Sequence, residues 1–313
     1  MASSSSKKVV YVAIAANVAI AASKYVAAFL TGSSAMMAEA FHTTVDTGNE
    51  LLLVWGMKRS QRPPDELHPF GHGKALYFYS LLVAVYIFGI GGGLAIHEGI
   101  SHLKNPSAPE NLLWNYVVLG IALVFDLYSW KISYRELMAG QKPDASAWSA
   151  IKSSKDPAVF TVLLEDSVGI AGTLLAFLGI LLGQLLHNPY FDPIASIAIG
   201  LLLGAIALFL GRESGALLVG ESIDRGKAEH LKNLIRSDPA VQNVGDLLTM
   251  YLGPEQVLLN VDIQFRSGLT VQELESSIDR LEERIRKEDP KIQRIFIEAE
   301  GLRGESRPAR RAA

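Results

Sequence analysis

The 313-residue chain contains no cysteine. A disulfide, a thiolate metal site and a cysteine nucleophile are therefore excluded, and any metal must be held by histidine, carboxylates, other oxygens or water. It also lacks an excess of either charge: 29 Lys and Arg stand against 32 Asp and Glu, a formal net charge of -3. No global field favours nucleic acid, and none is expected as a partner. Two histidines four apart around a glutamate, the arrangement of a helical metalloprotease, are absent too, so no enzyme is indicated.

What is abundant is apolar surface, 49% of residues, concentrated before residue 216. Six stretches are long enough to cross roughly 30 Å of hydrocarbon: about 8–31, 34–58, 75–99, 112–136, 157–185 and 190–213. The first is too long for a signal-peptide core and reads as a membrane helix. The expected fold class is a polytopic α-helical membrane protein of six transmembrane helices, with a C-terminal α+β domain of αββαβ order. Lys7, Lys8, Lys58, Arg59, Arg62, Lys74, Lys131, Arg135, Lys142, Lys152 and Lys155 fall on one side of these spans, whereas the alternate loops hold only Lys104. By the positive-inside rule both termini are cytoplasmic. A bacterial inner membrane is the expected location.

Charge gathers after residue 215, as in Glu282-Glu283-Arg284-Ile285-Arg286-Lys287-Glu288-Asp289, which no bilayer segment could hold. Helical periodicity near 225–237 and 270–288 and strand alternation near 245–252, 256–266 and 291–299 give the αββαβ order. The expected domains are thus 1–215, a transport domain; 216–302, a cytoplasmic dimerising or regulatory domain; and 303–313, a disordered basic tail. Gly89-xxx-Gly93 and Gly200-xxx-Gly204 would let helix backbones approach closely, within one chain or across a dimer.

The chemistry lies in the second and fifth spans. His42 and Asp46 are four apart and so project from one helix face as a chelating pair. Glu39, Asn49 and Glu50 extend that polar stripe. Ionisable residues cost at least ~2.5–3.5 kcal/mol each near a bilayer centre and are functional candidates by default. Asp156-Pro157 is a helix start. It places Glu165 and Asp166 roughly 15 Å deep at 1.5 Å per residue, level with His42 and Asp46. Imidazole with carboxylates suits Zn²⁺ and also admits Fe²⁺, Co²⁺ or Mn²⁺. Asp126, in the fourth span, is either a proton-coupling residue or a hydrogen-bond partner of a neighbouring helix. Lys24 pairs internally or snorkels toward an interface. A channel or a membrane metal sensor would share these features.

Thr31-Gly32-Ser33-Ser34-Ala35-Met36-Met37-Ala38-Glu39-Ala40-Phe41-His42 leading to Asp46, His68-Pro69-Phe70-Gly71-His72-Gly73-Lys74, and the six-helix plus αββαβ layout together resemble the cation diffusion facilitators, which include the ZnT-type zinc transporters. The resemblance covers nearly the whole chain. It implies a homodimer that exports divalent metal, zinc first, from the cytoplasm in exchange for protons, by alternating access at a tetrahedral site. The metal is cargo, and no cofactor is implied. The family site takes His or Asp and then Asp four later on the second helix, and the same on the fifth. His42, Asp46 and Asp166 match, but Val162 occupies the fourth position and cannot bind metal. Glu165, about 100° round the helix from Asp166, or water would have to complete the shell. Lys155-Asp156-Pro157 through Ser167 looks like a divergent subgroup. The resemblance further implies a loop site at Asp65, His68 and His72, spaced three and four apart. His230 is the single histidine after residue 215, and Phe296-Ile297-Glu298-Ala299-Glu300 stands where the family often places a ligand histidine. A full regulatory metal cluster is therefore not expected, and the domain would act chiefly in dimerisation.

Overall fold

The computed structural model describes residues 4–106, 112–138, 146, 150, 151 and 154–300. Lys142, Lys152 and the basic tail lie outside them. Among the described residues six long helical segments come first: α1 (Ser4–Thr31), α2 (Ser34–Ser60), α3 (Ala75–Lys104), α4 (Leu112–Met138), α5 (Pro157–Leu185) and α6 (Phe191–Val219). Of these, α3 to α6 are long and apolar enough to cross a membrane. The expected α2 span does not share that character because it carries Glu39, Asp46, Glu50, Lys58 and Arg59. In α1 the apolar stretch with described side chains runs only from Asn17 to Thr31.

The chain divides into two compact units: Met1–Arg62 with Lys74–Ala216, and Pro63–Gly73 with Leu217–Ala313. In the first, Gly32 adopts a left-handed φ of +67° and stops α1. Ser33 then caps α2, its side chain accepting from Met36 N. Asp192 of α6 reinforces the cap, accepting from Ser33 Oγ at 2.6 Å and Ser34 N at 2.7 Å. A carboxylate there satisfies amides that have no intrahelical partner and complements the helix dipole. α3 widens into a π-helical turn over Ile87–Gly92. The turn changes which glycine meets α6: a Cβ on Gly92 would lie 3.0 Å from Gly200 O, whereas Gly89 has nothing within 4 Å. Close packing of small residues therefore occurs within the chain at Gly92, Gly200 and Gly204, and the wide turn hides it from a simple four-residue count. Val45, Leu53, Val83, Phe160, Ile199 and Leu203 belong to the buried core.

The second unit contains α7 (Arg225–Arg236), β1 (Val241–Gly253), β2 (Gln256–Phe265), α8 (Val271–Glu288) and β3 (Ile292–Glu300), the expected αββαβ order. The sheet order is β1-β2-β3, with β1 antiparallel and β3 parallel to β2. β2 alternates strictly, burying Val257, Leu259, Val261, Ile263 and Phe265. β1 begins four residues before its expected start, because register shifts between Val241 and Asn243 and between Val244 and Leu247 break the period-two pattern. Thr270 and Glu273 form a capping box on α8. Segment 63–73 packs on this unit: Phe70 meets Phe296 edge-on at 6.4 Å between ring centroids, and a Cβ on Gly73 would collide with Leu252 O.

Candidate metal centre

α2 and α5 supply the candidate site of the first unit, and their contacts fix its layout. Glu39 meets Gly172 and Thr173, His42 meets Gly169, and Asn49 meets Glu165. As α2 numbers rise, α5 numbers fall, so the helices run antiparallel. Asp46 therefore lies at the level of Glu165 and Asp166.

The first tier is an ion pair. Lys24 Nζ of α1 donates to Glu39 Oε2 at 2.9 Å and to Thr43 Oγ1 at 2.9 Å. Thr173 Oγ1 donates to the same Glu39 oxygen at 3.1 Å and lies 3.4 Å from Asp126 Oδ2. Lys24 thus pairs internally, and Asp126 is tied to a neighbouring helix. A Cβ at Gly172 would meet Glu39 Oε1, so a larger residue there would displace that carboxylate.

One turn along α2, His42 is 1% exposed. Its Nδ1 stands 3.3 Å from Asp46 Oδ1, so the two side chains face each other as an i,i+4 pair, while Nε2 has no hydrogen-bond partner. Buried polar atoms are ordinarily satisfied. A buried imidazole with one uncommitted nitrogen beside a carboxylate is a donor set for a cation.

The remaining carboxylates are held individually. Asp166 accepts from Ser129 Oγ at 3.0 Å and Ser133 Oγ at 2.8 Å. Glu165 accepts from Asn49 Nδ2 at 2.7 Å, leaving Asn49 Oδ1 buried without a partner. Glu50 Oε1 accepts from Asn17 Nδ2 of α1 at 3.0 Å, and its Oε2 is also unpartnered. Asp46, Glu50, Glu165 and Asp166 act on one another electrostatically. Val162 is half-buried and packs on the apolar core. Ser129, Ser133 and Asn17 were not singled out from sequence, although Asp126, Ser129 and Ser133 share one face of α4 and that spacing was the available signal.

In the second unit Asp65 Oδ1 lies 3.0 Å from His68 Nδ1 and Oδ2 lies 2.9 Å from His72 Nε2. Hydrogen bonds from His72 first, and then from the His68 ring and amide, hold the Asp65 carboxyl down at about 2. Gly71, at φ +87°, turns the loop back so that both rings reach one aspartate. Among the described residues this is the one set of three whose ligand atoms all lie within 4.8 Å. His42, Asp46, Glu165 and Asp166 do not converge that closely. His230 pairs with Glu288 at 3.0 Å on an exposed surface.

Comparison with known proteins agrees with this architecture. The family model for the cation efflux transmembrane domain matches residues 10–219, and that for the cytoplasmic domain of cation efflux proteins matches residues 223–301. The chain is 32% identical over 283 residues to the mitochondrial proton-coupled zinc antiporter SLC30A9 of Mus musculus, covering 88% of this chain and 50% of that protein. It is 30% identical over 268 residues to metal tolerance protein C4 of Arabidopsis thaliana, covering 85% and 59%. Manganese efflux system protein MneP of Bacillus subtilis is 25% identical over 299 residues, 93% of this chain and 95% of that protein. The chain spans about half the length of the SLC30A9 relatives it matches. With both of its units matched, the chain belongs to the cation efflux family, whose members are transporters and not enzymes.

Proposed function

We propose that this protein exports a divalent metal cation, Zn²⁺ first, from the cytoplasm in exchange for protons. The observation that carries the reading is His42, almost wholly buried, with Nδ1 facing Asp46 Oδ1 at 3.3 Å and Nε2 without a hydrogen-bond partner. A buried imidazole left unsatisfied costs stability unless a ligand completes it. Asp166, at the same depth on α5, is the third ligand, and Glu165 takes the place that Val162 leaves open. α1 and α2 join the four apolar helices to make six spans. The polar face of α2 turned toward Lys24, Thr173 and Glu165 supports a span shielded by its neighbours.

Proton exchange follows from shared ligands. Metal needs a neutral imidazole and ionised carboxylates, so a proton arriving at those atoms competes with the cation and releases it. Alternating access then separates loading from release. Asp65, His68 and His72 form a second, cytoplasmic site that loads or senses the ion. The second unit acts in a homodimer, in keeping with its match to the family's cytoplasmic domain. We assign a bacterial inner membrane, supported by the near end-to-end match with the Bacillus subtilis protein. Uptake by proteoliposomes of Zn²⁺, Fe²⁺, Mn²⁺ and Co²⁺, with and without a pH gradient, tests the reading. Saturable uptake that needs the gradient is expected, and conduction without saturation would indicate a channel instead.

A further inference from the structure

Val162 offers no ligand at its level of the fifth helix, and the second helix has one carboxylate that the site does not yet use. Glu50 lies four residues beyond Asp46, so His42, Asp46 and Glu50 form a ladder on a single face of α2. The antiparallel contacts of α2 with α5 set its depth. Pairing of 39 with 172, 42 with 169 and 49 with 165 places Val162 opposite residues 49–52. Glu50 therefore stands at the Val162 level.

Two further observations point to a ligand at this level. Glu50 is fixed at one end only, by Asn17 of α1 at 3.0 Å, and its other oxygen is buried without a partner. Beside it, the fully buried Asn49 holds Glu165 through its amide nitrogen and leaves its own oxygen unsatisfied. Two unpartnered oxygens thus stand among the carboxylates of Asp46, Glu165 and Asp166, and the Lys24 ammonium is hydrogen-bonded to Glu39 rather than to any of them.

We propose that Glu50, positioned by Asn17, adds at the Val162 level a further oxygen ligand to those of Asp46, Glu165 and Asp166, and that this carboxylate end of the site admits Mn²⁺ beside the imidazole end suited to Zn²⁺. The inference rests on the transport reading above. Its physical basis is ligand type: carboxylate oxygens suit Mn²⁺, whereas imidazole favours Zn²⁺. His42 and Glu50 are about 12 Å apart along the helix at 1.5 Å per residue. They therefore serve an ion at adjacent levels, with Asp46 common to both.

The test is initial uptake of Mn²⁺ and of Zn²⁺ as a function of concentration, with the full chain in proteoliposomes under a fixed pH gradient. In Glu50→Gln the half-saturating Mn²⁺ concentration should rise about tenfold or more and that of Zn²⁺ less than about threefold. Glu50→Asp, which keeps the charge, should show a smaller rise for Mn²⁺ alone, and this variant serves if the glutamine form fails to fold. Adding Val162→Asp to Glu50→Gln should restore Mn²⁺ uptake, which a merely structural role for Glu50 would not allow. Equal effects on both metals, or none on either, would overturn the proposal. Asp46→Ala separates this failure from that of the transport reading: it should abolish uptake of both metals, and normal uptake by it would remove the site itself.

Discussion

The Lys24 ammonium lies 2.9 Å from the Glu39 carboxylate with both side chains essentially inaccessible, at 2% and 0% exposure. The pair joins α1 to α2, and Thr173 joins α5 to it. Removing one member of a buried pair costs about 3–5 kcal/mol, because the other charge is stranded. Lys24→Met should therefore lower the thermal unfolding temperature of the detergent-solubilised protein sharply. Lys24→Met combined with Glu39→Gln should recover most of that loss, and a double variant as unstable as the single one would show that the pairing is not what holds these helices.

A second ion pair governs the other unit. Asp238, itself buried, accepts from Arg280 Nε at 2.8 Å and Nη2 at 2.9 Å. The Arg280 hydrogen bonds, with help from the Ala240 amide, hold its carboxyl below the usual range. A depressed folded value stabilises the fold above the unfolded carboxylate value of about 4. That contribution disappears as pH falls through the lower folded value. Asp238→Asn should cost about 2 kcal/mol at pH 7 by chemical denaturation. The gap from wild type should close as pH falls through the depressed folded value of Asp238.

These two pairs show what sequence could and could not convey. Lys24 is a lone charge in an apolar helical stretch and so announced a partner, whereas Asp238 sits in a charged stretch where nothing marks one aspartate as buried. Helix ends were legible wherever a local device sets them, as at Ser33 and Asp156-Pro157. The π-turn of α3 and the bulges of β1 were not, since both break the periods by which helices and strands are recognised. At the candidate metal centre, four-residue spacing singled out His42 and Asp46 as a pair on one helix face. It could not show that Asn17, 33 residues earlier on α1, would grip Glu50, or that Ser129 and Ser133 would hold Asp166.

The loop of Asp65, His68 and His72 should bind Zn²⁺ independently of the membrane site. Measured on the full chain carrying Asp166→Ala, Asp65→Asn should weaken binding about tenfold, because it removes the group that holds both imidazoles. Acidification from pH 7.5 to 5.5 should also release metal. The responsible protons go to the imidazoles, since Asp65 stays ionised down to about pH 2. Binding unchanged by Asp65→Asn would refute the assignment.

Helix contact at Gly200 is equally exposed to test. A Cβ there would stand 2.6 Å from Ile96 Cγ1 and 2.9 Å from Gly92 O. Gly200→Val should destabilise the protein by about 1–3 kcal/mol, the usual cost of overpacking, whereas Gly89→Ala, with open space around it, should be nearly neutral. Equal unfolding temperatures for the two would contradict the packing described for α3 and α6.

The claim on which the rest depends is that His42 and Asp166 bind the transported ion. Zn²⁺-driven proton movement across proteoliposome membranes, followed with an internal pH dye, measures it most directly. His42→Ala and Asp166→Ala proteins that fold and reconstitute as wild type should show no metal-dependent proton movement. Wild-type proton movement by both would contradict the account.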